Sequence, residues 1–219
     1  NLIGTKPVHG NDVAATSMVD QLAGFVVGAK YEALSETAIH QAKIRILDAL
    51  ACAIGAPDGE PIKMVRAQIE DFGGRGRCTL IGGGRTAPDR AAFYNSALVR
   101  YLDFNDGYLA KGETCHPSDN LGAVFAAGEY AHGSGKDLLT ALAVAYQVQC
   151  RLSDVAPVRA KGFDHTTLGS FAVASGVARA LNLDQAQTSN AIAISGTAFN
   201  ALRVTRTGAL SNWKGLAYP

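Results

Sequence analysis

Apolar residues at helical spacing alternate with short breaks marked by Gly, Pro and Asp along most of this chain. Met18, Leu22, Phe25 and Val26 fall on one face of a helix predicted over about 15–28. Ser35 is a good N-cap, and the string SETAIHQAKIRILDALACAIG predicts a second helix that stops at Gly55, with Ile39, Ile46 and Leu50 on its apolar face. Asp58-Gly59 breaks the chain before a third helix over 61–72. Pro88 suits a first helical turn and opens a fourth over 88–102. Further helices are predicted over 118–131, 136–152, 167–181 and 184–196, the last capped by Asp184. Residues 1–14 read as an N-terminal arm, and 103–116, 153–166 and 197–219 as polar loops. The segment GGRGRCTLIGGGRTAPDR reads as a flexible turn with a short extended piece at 78–81, because it lacks the GxxxxGK[ST] spacing of a phosphate loop. There is no repeat and no heptad seam. The expectation is one all-α domain over 15–219, built from seven or eight packed helices with little strand.

Composition narrows the classes. Of 219 residues, 47% are apolar and 18% charged, enough to build a core and unlike a disordered tail. A net charge of +1 argues against nucleic acid as a partner, yet leaves room for a small anion held by a few cations. No apolar run of membrane-spanning length exists, and NLIGTKPVHGND has no signal-peptide core, so a cytoplasmic protein without membrane contact is expected. Cys52, Cys78, Cys115 and Cys150 are far apart and form no CxxC pair, which fits reduced thiols rather than a cluster framework.

Three polar patches interrupt the helices. The first runs from Tyr101 through Asp103, Asn105 and Asp106 to His116, Ser118, Asp119 and Asn120. The second is Lys161 to Thr167, with Asp164 and His165. The third is Arg203 to Lys214, with Arg206. Taken singly, each reads as capping residues or solvated surface. Together they gather acids, two histidines and cations at helix ends, an inventory for acid–base chemistry on a carboxylate-bearing substrate. Asp103-x-x-Asp106 is half of an aspartate-rich magnesium pair, but no second acidic cluster follows. Asp103, Asp106, His116 and His165 match no compact metal spacing, so neither metal nor cofactor is expected.

Five blocks resemble the MmgE/PrpD family: ILDALACAIGA (46–56), YLDFNDGYLAKGETCHPSDN (101–120), AYQVQCRLSD (145–154), KGFDHTTLGSFAVASGVA (161–178) and TRTGALSNWKG (205–215). The resemblance implies a two-domain enzyme whose helical N-terminal half is seen here, its smaller α/β domain lying beyond Pro219. It implies catalytic roles for Asp103, His116, His165 and Lys214, and a homodimer; beside these, Asp106, Arg203 and Arg206 are read as substrate contacts. The implied reaction is a lyase step on a small tri- or dicarboxylate. Dehydration of 2-methylcitrate in propionate breakdown leads. Decarboxylation of cis-aconitate, epimerisation of iminodisuccinate and a non-catalytic dimerisation module are the alternatives. Gly107 stands where the family commonly carries Thr, which bears on substrate preference rather than reaction class.

Overall fold

A computed structural model describes residues 17–206 and residue 216. The expected N-terminal arm, residues 207–215 with Lys214 among them, and the side chain of Arg206 lie outside the described residues. Eight α-helices are found among the described residues: α1 Met18–Gly28, α2 Glu36–Ile54, α3 Glu60–Phe72, α4 Pro88–Tyr101, α5 Leu121–Tyr130, α6 Gly135–Val155, α7 Thr166–Ala180 and α8 Gln185–Ala198. Two small antiparallel ribbons complete them: β1 Cys78–Thr79 with β2 Arg85–Thr86, and β3 Tyr108–Ala110 with β4 Glu113–Cys115. The fold is all-α, as expected. No helix of the described residues is long and apolar enough to cross a membrane, and all four cysteines are free.

The helix starts follow local chemistry. The side chains of Ser17, Ser35, Ser134 and Asp184 each accept a backbone N–H of the first turn. Ser134–Asp137 and Asp184–Gln187 are reciprocal capping boxes. Pro88 sits in the first turn of α4. The glycine-rich segment is a hairpin: Gly82, Gly83 and Gly84 all have positive φ at its turn, and Asn95 of α4 holds it by accepting from Ile81 N–H and donating to the Thr79 carbonyl.

Two features depart from the sequence reading. On α1 the expected Val26 is buried and Leu22 packs beside it, but Met18 is 81% exposed and Phe25 45% exposed, and Ala23 is buried in their stead. The helix packs on α8 and α7 through its small residues. The second departure is the β3–β4 ribbon, which occupies what reads as irregular loop.

Small residues let the central helices approach closely. Gly176 of α7 faces α6 and α5, where an added Cβ would lie 2.9 Å from both the Ala145 Cβ and a Val124 methyl. At Gly122 of α5 a Cβ would run into the backbone nitrogen and hydroxyl of Ser96 on α4. Leu98, Leu121, Val124 and Leu142 fill the core around these crossings.

Gly122→Ala should therefore destabilise the protein by about 1–3 kcal/mol through overpacking at the α4–α5 crossing. Gly128→Ala in the same helix meets nothing within 4 Å and should be neutral or stabilising by up to about 1 kcal/mol. Urea denaturation of the two variants checks the contrast.

Candidate active site

The site is built where the α4–α5 connection folds back onto α6 and meets the start of α7. At the end of α4 the Arg100 side chain is only 5% exposed and pairs with Asp103 and, at 3.4 Å, with Asp119, itself 1% exposed. Asn105 is buried beside them and donates to the Ser118 hydroxyl (2.9 Å) and the Asp119 carboxylate (2.8 Å). A short 3-10 turn at Pro117–Asn120 leads into α5, and buried Asn120 donates to Gln149 of α6 (2.6 Å). The loop is thus clamped from below by α4 and from the side by α6. Asp103 takes a left-handed conformation, φ 60, which turns the chain sharply out of the helix.

Asp106 makes three contacts in this clamp. Its carboxylate accepts from the Ser118 backbone N–H (3.0 Å) and from the Tyr146 hydroxyl of α6 (2.8 Å). Its backbone carbonyl lies 2.8 Å from His116 Nδ1. A carbonyl can only accept, so Nδ1 carries the hydrogen and Nε2 holds the lone pair. Burial and the nearby Arg100 guanidinium hold the His116 pKa below its ordinary value, against the opposing pull of Asp103 and Asp106.

His165 arrives from the other direction. It caps the start of α7, and its ring centroid is 5.5 Å from that of His116 with the planes 58° apart. Its Nδ1 is 3.1 Å from Asp164, a carboxylate with no exposed surface. Asp164 also accepts from Arg203 Nη1 (3.1 Å) and from the N–H and hydroxyl of Thr166. The stretch around Leu202 pairs with Phe163, which brings Arg203 to this carboxylate. Buried Glu113 of β4 ties the two halves together by accepting from the Arg159 N–H and guanidinium.

Of the residues picked from sequence, Asp103, Asp106, His116 and His165 converge here, and Arg203 joins through Asp164. Lys214 and the Arg206 side chain lie outside the described residues. Asn105, Asp119 and Asp164, members of the polar patches without an individual role there, join them, and Arg100 and Tyr146, outside those patches, complete the constellation. Asp164 and Tyr146 stand inside the quoted blocks, but nothing in a single sequence pairs Tyr146 with a residue 40 positions away. Among the described residues no three His, Cys, Asp or Glu side chains gather as metal ligands. A cavity of about 670 Å³ lies between α2 and α6, lined by Arg45, Tyr146 and Cys150 among others. Tyr146 is shared between this cavity and the site. Contact with the Cys115 thiol and burial raise the Cys150 thiol above its ordinary value.

What results is an all-α domain in which two histidines from separate helix ends face each other, each held by a different partner. The chain belongs to the MmgE/PrpD family: the MmgE/PrpD N-terminal domain matches residues 20–219. It is 30% identical over 205 residues to the 2-methylcitrate dehydratase of Escherichia coli K12, covering 84% of this chain and 41% of that protein. It is 29% identical over 206 residues to the 2-methylcitrate dehydratase of Cupriavidus necator, covering 84% and 41%. An alkylcitrate dehydratase of a fungal species is 31% identical over 195 residues, covering 81% and 38%. The chain spans about two fifths of the length of the curated relatives it matches.

The His116 environment sets a pH dependence. The folded state holds this proton less tightly than the unfolded chain, whose ordinary pKa is 6.5. Between the two values the unfolded state binds more protons, so stability is intact above 6.5 and falls as pH drops below it. His116→Gln should flatten that part of the stability profile, read from urea midpoints between about pH 5 and 7.

Proposed function

We propose that this chain is the helical part of a hydro-lyase that removes water from 2-methylcitrate to give 2-methyl-aconitate. The reading is carried by the facing pair His116 and His165 with unlike partners, and is supported by the relatives named 2-methylcitrate dehydratase. Elimination needs a base for the C–H proton next to a carboxylate, an acid for the leaving hydroxyl, and cations for the charge that builds up. His116 is neutral near pH 7, with its Nε2 lone pair fixed by the carbonyl on Nδ1, and takes the proton. The electron pair of that C–H bond becomes the new C=C bond as the C–O bond breaks. His165 gives the departing hydroxide its proton, and Asp164 steadies the charge on its ring. Lys214 stabilises the substrate carboxylate that gathers negative charge, with Arg206 as a further contact. Asp103 acts on His116 through its charge. Arg203 serves the reaction by holding Asp164, and Asp106 by holding His116.

A second reading, a dehydratase of citrates with a longer alkyl chain, is favoured by the alkylcitrate dehydratase among the relatives. An added Cβ at Gly107 meets nothing within 4 Å, so the site rim has room there.

The full-length protein, offered 2-methylcitrate, a longer alkylcitrate, citrate, cis-aconitate and iminodisuccinate, should dehydrate 2-methylcitrate fastest. His116→Gln, His165→Asn and Lys214→Ala should each lower turnover by about 100-fold, and activity should survive chelation with EDTA. Turnover only of cis-aconitate or iminodisuccinate, or near-normal rates in these variants, would overturn the reading.

The reading includes a homodimer. Ile44, Leu47 and Ile54 on one side of α2 are 42%, 70% and 70% exposed, an apolar stripe of the kind two copies can share. Light scattering of the full-length protein at micromolar concentration should give a dimeric mass, and a monomeric mass would count against it.

A further inference from the structure

The strongest uncommitted feature is the Tyr146 hydroxyl. It reaches from α6 across to a loop residue that the chemistry uses only indirectly. Asp106 is the hinge of the arrangement. Its side chain is fixed at both oxygens, by Ser118 N–H on one and Tyr146 on the other. Its main chain presents the carbonyl that receives His116 Nδ1. The next residue is Gly107, exposed and with open space around its α-carbon. Glycine tolerates almost any backbone rotation, so it gives the 106–107 peptide little restraint of its own. The ribbon holds the chain beyond Gly107, and on the near side the direction of the carbonyl depends on the two anchors of the Asp106 side chain. One of these, the Ser118 amide, belongs to the same loop. The other comes from a long helix packed into the core.

We propose that Tyr146 is a positioning residue that sets the tautomer of His116, by anchoring the Asp106 carboxylate so that the Asp106 carbonyl stays on Nδ1. This rests on the assignment of His116 as base. The phenol is suited to the task. Burial and the Asp106 charge push its pKa up, so it keeps its proton and donates at every working pH. Removing the hydroxyl frees one side of Asp106, lets the 106–107 peptide turn, and takes the acceptor from Nδ1. The imidazole then divides between its two tautomers, and only one of them holds the lone pair at Nε2.

The test uses the full-length protein labelled with 15N-histidine. Magic-angle-spinning 15N spectra at neutral pH report the tautomers, and the difference from His116→Gln identifies the His116 signals. The wild-type protein should show His116 as the Nδ1–H form alone. Tyr146→Phe should show a mixture of both forms, with kcat lower by about tenfold or more and KM little changed. Asp106→Ala, which removes the carboxylate that the phenol anchors, should give the same mixture, and it serves if Tyr146→Phe does not fold. Tyr130→Phe is the control, because that residue lies at the opposite, exposed end of α5, and it should leave His116 unchanged. An unchanged His116 signal in a folded Tyr146→Phe or Asp106→Ala protein overturns the proposal, as does a wild-type signal of the Nε2–H form. A mixed tautomer in a protein whose wild type dehydrates no citrate leaves the positioning role standing and removes the dehydratase reading instead.

Discussion

One buried guanidinium organises the polar end of this domain. Arg100 ends α4 inside the protein rather than at its surface, and a charge so placed must be matched nearby. Asp103 meets it just after the helix, and Asp119 meets it after the chain has travelled out through a ribbon and back. These pairs close the excursion between α4 and α5 into a loop of fixed shape. Asp103 is half exposed, but Arg100 and Asp119 are both buried, and removing one partner of such a buried pair typically costs about 3–5 kcal/mol, because the other is left uncompensated. The position of His116 follows from that closure, since it lies three residues before Asp119 and on the same turn. The Arg100 charge then reaches back to the imidazole and disfavours its protonation. A single residue thus fixes the place of the histidine and biases its charge state.

The helical framework is legible in the sequence because its signals are local. Ser35 and Asp184 announce helix starts through hydrogen bonds that span three residues, and Pro88 and Gly55 act at their own positions. The β3–β4 ribbon is not legible. Its strands have three residues each, and burial runs against side-chain polarity: the apolar Leu109 is 82% exposed whereas the charged Glu113 is buried. Its shape is imposed by anchors outside it, Tyr108 on Asp154 and Glu113 on Arg159. The face of α1 departs from its pattern for a related reason. Periodicity gives Leu22 and Val26 correctly but adds the large residues Met18 and Phe25, whereas the packed side is completed by Ala23.

In the site, the histidines stand out because their blocks are unusual in composition, and the family resemblance names them. Two residues behind them do not. Tyr146 and Arg100 are ordinary residues at ordinary positions, and they become informative only when the fold sets them against Asp106 and Asp119. The difference between His116 on a neutral carbonyl and His165 on a carboxylate is what separates their chemistry, and it is a property of tertiary contacts alone.

The left-handed backbone at Asp103 narrows what variation can achieve there. At φ 60 the β-carbon crowds the following carbonyl, a conformation that glycine, asparagine and aspartate accept more readily than other residues. Two of those three are uncharged. Glutamate, the exchange that looks mildest on paper, keeps the charge but forfeits the short side chain that suits this turn. A lineage that keeps both the turn and a negative charge at this position has no substitute for aspartate, so invariance here would report the main chain as much as the reaction.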